Sequence, residues 1–265
     1  TKILRISLSQ SNPVVGDFLF NTSLILDAAK NAFSSKCDIL ITPELSLTGY
    51  PPEDLLFNAA FIKSSNQALN NLAKNLAIYK DLFVLVGHPV CDGEKVKNCI
   101  SIISNGKAVF IYEKQILPNK GVFDELRYFT PGINSNLFEI RNIKIAFLIC
   151  EDIWSNVPSV TAHTLGAHLI ISVNASPYYL DKQTERLNIV KEKTLSLKIP
   201  IIYLNAVGGQ DELVFDGNSF AFNKTGELIA SFPQFDSHQD IINFGGDDLK
   251  VSKIHPQLYQ EAEKF

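Results

Sequence analysis

The sequence predicts an α/β fold made of two sheets that carry helices on their outer faces. Strand and helix patterns alternate from Ile3 to His88 and resume from Ser159 to Asn205, and hairpin signals separate and follow the two runs. The chain of 265 residues, 46% apolar, is long enough to bury a substantial core in one large domain.

Ile3–Ser9 alternates as a short strand does, and Asn21–Ser35 places Leu24, Ala28 and Ala32 at helical spacing. Asp38–Thr42 reads as a short buried strand, Asn58–Tyr79 as a long helix and Leu82–His88 as the next strand. Asn105-Gly106, between Lys97–Ser104 and Lys107–Lys114, is a strong hairpin signal. A second hairpin joins Asn136–Ile140 to Lys144–Ile149 through Arg141-Asn142. Beyond it, Ser159–Gly166 is helical, His168–Val173 a strand, Asp181–Leu197 a helix and Ile201–Asn205 a strand. The remainder is mostly strand and turn, with a hairpin at Asn223–Gly226. Residues 1–245 read as one domain, and the polar stretch 246–265 as a tail or connector.

A net charge of −4 gives no electrostatic footprint for nucleic acid. No apolar run approaches the roughly 18 residues of a membrane span. Cys37, Cys91, Cys99 and Cys150 have no metal-ligand spacing and read as reduced, cytoplasmic thiols. No metal site is expected.

Chemistry is expected where apolar strands end in reactive side chains. Ile145–Ile149 ends at Cys150, followed by Glu151-Asp152. A thiol on such a rim is a potential nucleophile if a base takes its proton and a positive group holds the oxyanion. None of the five histidines stands in a diagnostic position. Ile39–Thr42 leads through Pro43 to Glu44, a candidate general base, although alone it reads more readily as a solvated strand-end residue. Ala108–Glu113 ends at Lys114, which by itself reads as an exposed lysine. Three strands ending at Glu, Lys and Cys shift the reading toward a site.

Glu44, Lys114 and Cys150, in this order and with these flanks, resemble the Glu-Lys-Cys triad of the nitrilase, or carbon–nitrogen hydrolase, superfamily. The resemblance covers residues 1–245. Asn12-Pro-Val-Val-Gly-Asp17, Gly49-Tyr-Pro-Pro-Glu-Asp54, Val122-Phe-Asp-Glu125, Cys150-Glu-Asp-Ile-Trp154, Asn174-Ala-Ser-Pro177 and Gly208-Gly-Gln-Asp-Glu-Leu-Val-Phe-Asp-Gly217 resemble one branch, the glutaminase domains of glutamine-dependent NAD synthetases.

That resemblance implies a four-layer αββα sandwich that hydrolyses L-glutamine to glutamate and ammonia without a metal or organic cofactor. It implies a ligase domain as partner, where ATP and Mg would act, and a homo-oligomer as the default assembly. Pro256–Gln260 would lead toward that domain, so the chain reads as the glutaminase half. Lys114 and the Glu151 N–H would form the oxyanion site, with Glu125 as a second acid. Tyr50 and Phe123 would wall the substrate pocket, and Ser176 and Lys182 would meet glutamine's polar ends. Lys120 stands at a glutamine-contacting position where the branch usually has tyrosine, and Asn218 where it commonly has glycine. Two other readings stay open: an amidase or carbamoylase acting on another amide, and a silent domain that binds a synthetase partner.

Overall fold

The computed structural model describes residues 3–255. The expected connector at 256–260 therefore lies outside the described residues. The first sheet contains β1 (Leu4–Gln10), β2 (Ile39–Ile41), β3 (Phe83–Asp92), β4 (Lys95–Ser104) and β5 (Lys107–Glu113). The second contains β6 (Leu137–Ile140), β7 (Ile143–Ile149), β8 (Leu169–Asn174), β9 (Ile201–Asn205), β12 (Phe220–Phe222) and β13 (Leu228–Ser231). Between β9 and β12 the chain forms a separate ribbon, β10 (Val207–Gln210) with β11 (Leu213–Asp216). After β13 it returns to the first sheet as β14 (His238–Gly245) and β15 (Asp248–Leu249).

The strand orders are β15-β14-β1-β2-β3-β4-β5 and β13-β12-β9-β8-β7-β6. Each sheet has three parallel central strands, β1-β2-β3 or β7-β8-β9, extended on both sides by antiparallel ones. The C-terminal ends of those central strands form the rim on which an α/β sheet places chemistry.

Strand period decides the layering. Ile39, Ile41 and Leu85 face the core between the sheets, where Phe110 of the first sheet meets Phe147 of the second, ring centres 5.8 Å apart. Leu40, Val84 and Val86, the alternate residues, face a separate core beneath helices α1 (Phe18–Ser34) and α2 (Ala59–Leu76). Strands covered on both faces need unbroken apolar runs, hence Ile39-Leu-Ile41. Helix α1 begins where Asp17 accepts the Phe20 N–H at 3.0 Å, and it buries Asn21, Ile25, Ala28, Ala29 and Ala32 on one stripe. The short α3 (Glu125–Tyr128) lies in the loop after β5. Helices α4 (Asn156–Thr164) and α5 (Lys182–Leu197) contribute Ala162 and Val190 to the core of the second sheet.

Both hairpins expected at Asn105-Gly106 and Arg141-Asn142 form, with positive φ at both turn residues of each. The stretch after Gly245 differs from its reading as a polar tail or connector throughout. Gly246 and Asp247, both at positive φ, turn the chain so that β15 pairs with β14. Two residues of strand are too short to produce a readable alternation.

Candidate active site

Cys150 sits where β7 gives way to a single 3-10 turn, Cys150–Ile153. Its φ of 45° is unusual for a residue with a side chain, and such strain concentrates at functional positions. Asp152 holds this turn. Its Oδ2 accepts the Ile149 N–H at 3.0 Å and the Tyr112 hydroxyl at 2.8 Å, while Oδ1 accepts the N–H groups of Gln115 and Ile116. The turn bearing Cys150 is thereby tied to the chain just past Lys114. The Glu151 N–H is the first amide after the thiol.

Glu44 follows β2 and is fully buried. Its backbone lies directly on β3 at Gly87, where a Cβ would stand 2.4 Å from Leu45 N and 2.7 Å from Pro43 O. Only glycine permits that approach. Glu44 Oε1 accepts Lys114 Nζ and Asn98 Nδ2, each at 2.8 Å, and Oε2 accepts the Ala175 N–H at 2.9 Å. Lys114 Nζ also lies 2.9 Å from the Glu125 carboxylate. Tyr50 donates its hydroxyl to Glu125 Oε1 at 2.6 Å. One ammonium thus bridges two buried carboxylates.

The electrostatics follow from burial and from these charges. Burial pushes the Cys150 thiol well up, Glu44 pushes it further, and Lys114 only partly opposes them, so the resting group is a neutral thiol. For Lys114 burial disfavours the charge, but Glu125, Glu44 and Cys150 together raise it well above the usual amine value. Burial also raises Glu125, against the opposing pull of Lys114. Tyr50 is raised by burial and by Glu125. A neutral thiol needs a proton acceptor before it can attack, and a permanent ammonium can hold an oxyanion.

Tyr50 and Phe123 come together with Glu125, Phe129 and Leu213 around a small cavity of about 60 Å³. Lys182, at the start of α5, places Nζ 4.0 Å from the Trp154 ring centre and 3.2 Å from the Tyr179 hydroxyl. Burial and Arg186 lower its pKa, against the opposing pull of Glu185. Ser176 is buried among structural partners. Arg186 donates to its Oγ and its carbonyl, and the Ser176 N–H donates to Asn205 Oδ1. Lys120 is exposed, its carbonyl accepting the Phe123 N–H. His88 is a core residue that burial holds down at about 4, with Nε2 2.7 Å from Ser101 Oγ.

Sequence reasoning missed Asn98, the Ala175 amide and the buried pair Arg186–Asp216, which meet at 2.8 Å. It noted Asp152 only as an acid after the thiol. An asparagine set directly before the buried run Cys99–Ser104 of β4 was the one available signal for Asn98.

Two facing sheets in four layers, with a buried thiol beside a carboxylate–lysine–carboxylate chain, define a hydrolase of the nitrilase-superfamily type. The carbon–nitrogen hydrolase family model matches residues 5–241, and the chain belongs to that family.

It is 38% identical over 271 residues to a "Glutamine-dependent NAD(+) synthetase" of Thermotoga maritima, an alignment covering 100% of this chain and 46% of that protein. The solved glutamine-dependent NAD+ synthetase of Acinetobacter baumannii superposes with a TM-score of 0.92 at 34% identity, covering 99% of this chain and 50% of that one. An amidase from Nesterenkonia shares the fold, with a TM-score of 0.80 at 22% identity over 91% of this chain and 90% of that one. The chain spans about half the length of the curated relatives it matches.

Proposed function

We propose that the chain hydrolyses the side-chain amide of L-glutamine and delivers the ammonia to a ligase domain that forms NAD. The observation that carries this is the Lys114 bridge between Glu44 and Glu125 beside a neutral thiol. The names of the relatives supply the substrate.

Glu44 takes the proton of Cys150 Sγ as sulfur attacks the amide carbon. The Lys114 ammonium and the Glu151 N–H hold the oxyanion. As the tetrahedral species collapses, Glu44 passes the proton to the departing nitrogen, leaving ammonia and a γ-glutamyl thioester. Water, giving a proton to Glu44, then attacks the thioester; the C–S bond breaks, Glu44 returns the proton to Cys150 Sγ, and glutamate leaves. These steps call on no metal or organic cofactor; ATP and Mg would serve the ligase. Glu125 keeps Lys114 charged and aimed. Tyr50 and Phe123 wall the pocket, Lys182 pairs the α-carboxylate, and Ser176 and Lys120 flank it. A homo-oligomer belongs to this reading, as does a cytoplasmic setting, since the thiol must stay reduced.

The test is ammonia release from a panel of amides, together with labelling by a glutamine-like electrophile. Glutamine should be preferred and Cys150 modified. Preference for another amide, or label on another residue, refutes the proposal.

A further inference from the structure

Near one edge of the first sheet, where β14 starts beside the C-terminal end of β1 at Gln10, two strand positions and one returning segment converge. His238 and Asp240 are i and i+2 on β14 and therefore project from the same face. His255 arrives from the chain that follows β15. Its backbone is clamped to β13: the His255 N–H donates to Ser231 O and Oγ, and Ser231 Oγ donates back to His255 O at 3.1 Å. Ser252 N–H adds a bond to Ile229 O at 2.8 Å. The imidazole is thus held against His238, ring centres 4.7 Å apart.

The three side chains leave their donor atoms facing one another. His238 Nε2 stands 3.6 Å from Asp240 Oδ2, and no two donor atoms of the trio are more than 4.8 Å apart. Asp240 Oδ1 is occupied by the Ile241 N–H at 2.8 Å, which leaves Oδ2 for the cluster. The Nε2 atoms of His238 and His255 are both shielded from solvent, and neither has a hydrogen-bond partner among the described residues. Two buried imidazole nitrogens without partners are costly, and a shared ligand satisfies both.

We propose that His238, Asp240 and His255 bind one divalent transition-metal ion, with solvent completing the shell, and so fasten residues 252–255 to β14. Two imidazoles and one carboxylate suit Zn²⁺, whose bonds of about 2.0–2.2 Å place tetrahedral ligands roughly 3.4 Å apart. The His238–Asp240 separation already meets that spacing, and modest ring rotation brings in His255. The set is wrong for Mg²⁺ or Ca²⁺, which take oxygen shells.

The experiment titrates Zn²⁺ into the EDTA-treated chain by calorimetry, in a background with Cys91→Ser and Cys150→Ser so that thiols do not compete. One ion per chain is expected, with Mg²⁺ giving no saturable heat. His238→Ala, Asp240→Asn and His255→Ala should each weaken binding by about 100-fold or more. Their circular dichroism should be unchanged, because all three side chains are only partly buried. Saturating Zn²⁺ should raise the parent's thermal midpoint but not that of His255→Ala. Co²⁺ should give visible d–d bands in the parent that His255→Gln abolishes. Absence of saturable binding, or binding unaltered in the three folded variants, overturns the proposal.

Discussion

Asp152 Oδ1 accepts the backbone N–H of Ile116 at 2.8 Å, and through that bond the turn carrying Cys150 on the second sheet is fastened to the chain leaving Lys114 on the first. Both oxygens of Asp152 act as acceptors, so an amide in its place must turn an NH₂ toward an N–H or O–H donor. Asp152→Asn should therefore cost about 2–3 kcal/mol in urea unfolding. It should also slow amide turnover, although Asp152 contacts no substrate in the proposed steps. A variant of parental stability and rate would deny Asp152 this bridging role.

Glu44 has two separable effects on Cys150. As a proton acceptor it speeds attack, and as a negative charge it helps keep the thiol protonated. Glu44→Gln should lower turnover by about 10²- to 10⁴-fold. The same change should move the pH midpoint of Cys150 alkylation downward, because one opposing charge has gone. Lost turnover with an upward midpoint would assign Glu44 some other role.

Glu125 offers a pH signature. Its folded pKa is raised, chiefly by burial. A raised acid favours the folded state below the unfolded value of about 4.3, and that advantage is lost as pH rises through the folded value. A glutamine at this position would not titrate. The stability of Glu125→Gln relative to the parent should therefore improve as pH climbs above about 4, whatever its starting offset. Denaturation series across pH measure this, and a difference that stays flat would rule out the raised carboxyl.

Arg186 and Asp216 form a fully buried pair, and Arg186 also donates to Ser176 and to the Pro177 carbonyl. Arg186→Met should cost about 3–5 kcal/mol, since Asp216 is left charged without its cation. Adding Asp216→Asn should recover part of that loss. If the double variant is no more stable than the single, the uncompensated charge is not the cause.

How much could be read in advance depended on distance along the chain. Cys150, Glu44 and Lys114 were legible because each ends a strand pattern that local sequence displays. Both two-residue hairpins were legible for the same reason. Asn98 and the Ala175 amide were not, because Asn98 meets Glu44 only through strand pairing across 54 residues, and Ala175 only through the packing of one sheet on the other across 131. Arg186 sits in a helix rich in charge, where nothing local distinguishes a buried guanidinium from a solvated one. Helix α1 starts at Phe18 rather than Asn21 because Asp17, and not a later residue, supplies the N-terminal acceptor.

Glu44 grips Lys114 and Asn98 on its own sheet with one oxygen, and the Ala175 amide after β8 on the other sheet with its second. The carboxylate therefore works as a gauge block set across the interlayer gap. A cavity cut at Phe147, or hydrostatic compression, should throw this alignment out of tolerance well before the chain unfolds. Loss of rate would then report a change of spacing rather than damage at the reacting atoms.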